Sequence, residues 1–202
     1  MSNFIKKSDN LTALVFFVFL IAAVFLPVII NKQTFFSAVP GLALESGPYG
    51  FSGLKTPWTL DAGAYMWTEV SQTVFWYKEL QKGIFAFWNP YQAAGQPLSA
   101  SILSGIYNPF KLLLFGPFPY LKTFDFYILL RLLIAGFGAY LFLRKIKLSS
   151  QSALLGGVAY MFSGYFMNWI THWSLNADMM TPYILLAIEK FFESPRLRNI
   201  LL

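Results

Sequence analysis

The sequence predicts an all-α integral membrane protein: a multi-pass helical bundle with a large outer-face loop of interfacial helices. Residues 11–30 are an apolar run of about 20 residues, enough for one helix to cross a roughly 30 Å hydrocarbon core. Two further apolar runs end in basic residues, Arg144, Lys145 and Lys147 in one case and Arg196 and Arg198 in the other, the signature of cytoplasmic helix ends. The composition agrees, with 56% hydrophobic residues, 12% charged residues and a mean hydropathy of +0.54.

The elements follow in chain order. The first span is expected at 11–30, preceded by Lys6 and Lys7. The run is too long for a signal-peptide core and no clear small-x-small cleavage site follows it, so it reads as an uncleaved anchor. Residues 31–122 form the outer loop. Within it, residues 62–82 predict an interfacial helix, with Met66, Val70, Val74, Tyr77 and Leu80 on the apolar side and Glu69, Gln72, Glu79 and Lys82 opposite. Residues 98–118 are apolar enough to span but carry Asn108-Pro109, Lys111 and Gly116-Pro117. A span here would put the basic cluster at 144–147 outside, so a re-entrant or interfacial segment is expected. Further spans are expected at 123–143, 152–170 and 179–192. This topology places the N-terminus and all basic clusters at the cytoplasmic face of the cell membrane. The last residues look like the start of another element, so the chain reads as the N-terminal part of one transmembrane domain.

Several function classes are excluded or disfavoured. The net charge of +6 resides at the ends of apolar runs, where lipid headgroups read it, and nucleic acid is not expected as a partner. With no cysteine, disulfides, thiolate catalysis and Cys-ligated zinc are ruled out. No phosphate-cradling Gly-Lys-Ser/Thr loop and no Ser-His-Asp order is present, so any activated group must arrive on a donor.

The candidate site residues start with Asp61. A carboxylate at the membrane face suits a general base, and the same residue suits the N-cap of the 62–82 helix; the two roles are compatible. Glu69, two turns on, is a second carboxylate for an acceptor or a divalent metal, or else part of a solvated helix face. Trp88, Asn89, Tyr91 and Gln96 combine sugar-stacking and hydrogen-bonding groups with good turn chemistry. Arg131 lies two turns inside the second long span, where it can bind a lipid phosphate, pair with Asp125 or Asp178, or snorkel. His172, the only histidine, and Asp178 are candidates for the mouth of a cavity. One histidine cannot make a His-rich metal site. Lys111 and Lys122 are expected to meet lipid headgroups. Gly136, Gly138, Gly156, Gly157 and Gly164 read as close helix packing.

The order of these features resembles the N-terminal part of the YfhO-like bacterial membrane proteins, of the GT-C superfamily of polyprenyl-phosphate-sugar-dependent glycosyltransferases. The residues carrying the resemblance run from Gly83 through Trp88-Asn89-Pro90-Tyr91 to Gly95-Gln96-Pro97, then from Ala135 to Arg144, from Gly156 to Gly164, and at Pro182 with Ile188-Glu189-Lys190. At the loop acid the chain has Leu60-Asp61 where those proteins usually have Gly-Asp, and Ser71-Gln72-Thr73 where they have Pro-Phe. The resemblance implies a GT-C-like fold and transfer of a sugar from a polyprenyl-phosphate-linked donor to a glycan or polymer acceptor, with inversion. It makes Asp61 the base, implies no certain cofactor, and implies that this chain is a fragment of a longer protein. Two other readings fit the same composition. In a transporter or flippase subunit for lipid-linked glycans Asp61 is replaceable, and in a non-catalytic assembly subunit both Asp61 and Arg131 are.

Overall fold

A computed structural model of the chain describes residues 7–30, 34–35, 70–92, 94–101, 105–115, 120–193 and 195. Helix predominates among them. The chain divides into two compact units, residues 1–33, 128–170 and 174–202 in one and residues 34–127 with 171–173 in the other.

The first unit opens with α1, Lys7–Val24, which after a polar first turn is almost wholly apolar. Only the stripe Ala13, Phe17 and Ile21, spaced one turn apart, is buried. The apolar run from 11 to 30 is not one helix. Pro27 lacks an N–H, and its ring would strike the carbonyl of residue 23, so α1 stops and a single turn, α2 (Leu26–Ile29), follows Phe25.

The longest helix, α4, is Tyr120–Lys145 (26 residues), with α3 described below. Its stretch Lys122–Lys145 is the one described helix long and apolar enough to cross a membrane, with a hydropathy of 2.0. It ends in a Schellman turn: Leu148 N–H bonds the Leu143 carbonyl, Lys147 N–H bonds that of Arg144, and Lys147 takes φ 71°. Ser149 then caps α5, Ser150–Met161, by accepting from Ser152 N–H.

The expected span 152–170 is broken. At Phe162 the helix stops, because Ser163 turns its hydroxyl to the Phe166 N–H and caps a new short helix, α6 (Gly164–Asn168). After the one-turn α7 (Leu175–Asp178) comes α8, Thr181–Glu193. Its 13 residues rise about 20 Å, short of a full crossing.

Small residues let these helices approach. A methyl group added at Gly157 would lie 2.6 Å from the Phe17 ring and 2.7 Å from the Gly136 carbonyl oxygen. Gly138 meets the Tyr183 ring, whose hydroxyl donates to the Ile134 carbonyl at 3.0 Å. Gly164 corrects the packing expectation: a methyl there would have nothing within 4 Å. Lys145 pairs with Glu193, tying the end of α4 to the end of α8.

The second unit is built on α3, Ser71–Gln81. Residues 62–69 of the expected interfacial helix lie outside the described residues. The inward side of α3 takes in polar residues, Gln72 and Thr73 beside Trp76, while Tyr77 and Leu80 of the expected apolar line pack half-buried against the same core. The reason is long-range. Lys111, expected at the lipid headgroups, is instead fully buried, and its ammonium donates to Thr73 Oγ1 at 3.1 Å, so the polar edge of α3 turns inward. Trp76, Ala86, Leu98 and Ile106 form the core, with Tyr77 stacked on Phe115 at 3.6 Å. Gly83, at φ 75°, closes α3 in a second Schellman turn.

Next comes a minimal hairpin in which β1 (Trp88–Asn89) pairs antiparallel with β2 (Gln96–Pro97), Trp88 opposite Pro97 and Asn89 opposite Gln96. The described part of 98–118 is turn followed by a 3-10 helix, Pro109–Phe115, started by Asn108 Oδ1 accepting from Phe110 N–H. In the first turns of α4, Asp125 accepts from Thr34 Oγ1 at 2.9 Å and from Phe35 N–H at 2.8 Å.

Candidate functional site

The hairpin gathers four of the predicted residues. Asn89 is buried and structural: its Oδ1 accepts from Tyr91 N–H at 3.0 Å, an Asx turn that carries the chain over Pro90. Gln96 is half-buried opposite it, and Trp88 is largely exposed. The Trp88 indole lies over Gly95, where a side-chain carbon would come within 2.7 Å at φ 104°, so only glycine fits. A bond from Gln72 Nε2 to Gln92 Oε1 at 3.1 Å ties this loop to α3.

Between the loop and α3 lies an open cleft of about 590 Å³, lined by Phe75, Lys78, Glu79, Gln81, Lys82 and Tyr91 among others. Glu79 and Lys82 form an ion pair at 2.6 Å. The hydrogen bond to Glu79 and its charge hold the Lys82 ammonium above the ordinary lysine pKa. Of this lining only Tyr91 was a sequence candidate. The signal for the rest was the i, i+3 pair of opposite charges on one helix face.

Arg131, in the first unit, is 2% exposed. Its guanidinium donates to Asn176 Oδ1 at 3.1 Å and to the Ile170 carbonyl at 2.5 Å. Asp178, weighed as its counter-ion, accepts instead from the Tyr165 hydroxyl at 2.8 Å, and the Asp178 carbonyl accepts from Tyr160 at 2.8 Å. The broken helix makes this arrangement: α6 ends early, so the Ile170 carbonyl and the α7 turn come to the side of α4. His172 packs against the Trp173 ring at 5.2 Å in the second unit, whereas Asp178 belongs to the first.

Asp61 and Glu69 lie outside the described residues. Among the described residues no group of three His, Asp or Glu side chains is placed to hold a metal ion. Chemically, the described residues supply a buried cation in an apolar bundle and a polar cleft edged by aromatic rings. No protein-family model, characterised protein or solved structure matches the chain.

Proposed function

We propose that the chain is part of a multi-pass membrane glycosyltransferase that moves a sugar from a polyprenyl-phosphate donor to an acceptor hydroxyl on a cell-envelope glycan at the outer face of the cytoplasmic membrane. Asp61 accepts the hydroxyl proton. The acceptor oxygen bonds the anomeric carbon as the carbon–oxygen bond to phosphate breaks, and the polyprenyl phosphate leaves with the electron pair.

The observation that carries this reading is Arg131. It is a guanidinium buried inside the one described helix long and apolar enough to span, where it donates to Asn176 and to the Ile170 carbonyl. A buried cation in low dielectric favours a nearby anion such as a leaving phosphate. Membrane residence is supported by α1, where Leu11, Val15 and Phe19 are all more than half exposed around a narrow buried stripe. The order of motifs shared with the YfhO-like proteins supports the choice of reaction.

The test supplies a radiolabelled polyprenyl-phosphate sugar to membranes with and without the complete protein. Transfer predicts label in the glycan fraction only when the protein is present. Label that crosses the bilayer without joining an acceptor would replace transfer with transport.

A further inference from the structure

The cleft beside α3 brings an exposed aromatic ring together with charged and carboxamide side chains. Tyr91 is 85% exposed, yet it is held in place: its N–H donates to Asn89 Oδ1 and its ring meets the Phe75 ring at 75° with centroids 5.7 Å apart. An aromatic ring so fixed and so open presents a bare face, and the axial C–H groups of a pyranose pack on such a face. The adjacent lining alternates acceptors and donors, with the Glu79 carboxylate, the Gln81 carboxamide and the Lys78 and Lys82 ammonium groups. Vicinal hydroxyls need that alternation, because each both donates and accepts. Two lysines against one glutamate leave the lining one positive charge in excess, which disfavours a cationic amino sugar. At about 590 Å³ the cleft falls within the roughly 300–1,000 Å³ of small-molecule sites.

We propose that this cleft is a saccharide subsite, with the sugar ring on Tyr91 and its hydroxyls bound by Glu79, Gln81 and Lys78. The assignment of that sugar as the acceptor rests on the transfer reading above. Saccharide binding itself does not.

The experiment is saturation-transfer difference NMR on the complete protein in lipid nanodiscs, with methyl β-glucoside, methyl β-N-acetylglucosaminide and glucosamine as probes. The two neutral glycosides show saturation transfer and glucosamine does not. Tyr91→Ala and Glu79→Gln each weaken binding about tenfold, the loss of one ring contact or one charge-assisted hydrogen bond. Tyr107→Ala, which removes an exposed ring outside the cleft, leaves binding unchanged. Absence of saturation transfer from both glycosides, or unchanged binding in Tyr91→Ala and Glu79→Gln, overturns the proposal. Glycoside binding without sugar transfer refutes the transfer reading alone, and transfer without glycoside binding refutes the subsite alone.

Discussion

Gly157→Ala tests the packing of the first unit where a backbone atom stands in the way of a side chain. The added methyl meets two obstacles, the Phe17 ring at 2.6 Å and the Gly136 carbonyl oxygen at 2.7 Å. The ring can shift, but the carbonyl belongs to the backbone of α4 and can yield only if the helices part. Overpacking of a close-packed interior costs about 1–3 kcal/mol, and a backbone obstacle puts this case near about 3 kcal/mol. For a chain of 202 residues each kcal/mol lowers Tm by about 2–4 °C, so a fall of about 6–12 °C is expected. Two neighbours calibrate the result. At Gly156 the obstacle is the flexible tip of Leu143, so the cost is smaller, and at Gly164 there is open space, so Tm stays within about 2 °C. Thermal unfolding of the three alanine variants in nanodiscs, followed by circular dichroism, reads the series directly. A Gly157→Ala protein with wild-type Tm, or a ranking with Gly164→Ala worst, refutes the helix contact.

Other expectations follow from single contacts. Arg131→Met removes the guanidinium bonds to the Ile170 carbonyl and the Asn176 carboxamide, costing about 2–4 kcal/mol in denaturant unfolding; an unchanged midpoint contradicts the bonding described. Thr73→Val removes one acceptor of the buried Lys111 ammonium at nearly constant volume and costs about 2 kcal/mol, while Thr73→Ser stays close to wild type. The Glu79 contact raises the Lys82 pKa, so its small stabilisation is fully present below the ordinary lysine pKa and is lost as pH climbs through the raised value. In ¹³C-lysine NMR the Lys82 midpoint therefore falls in Glu79→Gln, and an unmoved midpoint argues against the pair.

The long helix α4 was legible because hydropathy and a basic stop coincide at Arg144 and Lys145, and both act locally. The interruptions were harder to read. Pro27 and Gly164 sit inside apolar runs and pass a hydropathy count, although one removes a backbone donor and the other follows a hydroxyl that caps a new helix. The burial of Thr73 on α3 was not legible because the residue that decides it, Lys111, is 38 positions away. Apolar periodicity cannot report a buried ammonium that demands a hydroxyl. Among the site candidates, Asn89 was legible as turn chemistry and Arg131 as a charge in an apolar helix. The partners of Arg131 were not, because they depend on where the 152–170 run breaks. The cleft residues Glu79 and Lys82 read as the polar side of a helix, and nothing local shows that Tyr91 of the loop borders the same cleft.

The transfer reading is tested most directly at Asp61. Sugar transfer from a polyprenyl-phosphate donor is measured in membranes carrying the complete protein and its Asp61→Asn variant at matched expression. The account predicts at least about a hundredfold loss of rate with normal folding, the scale of a lost general base. Transfer at the parent rate in Asp61→Asn would contradict it and leave Asp61 as a helix cap.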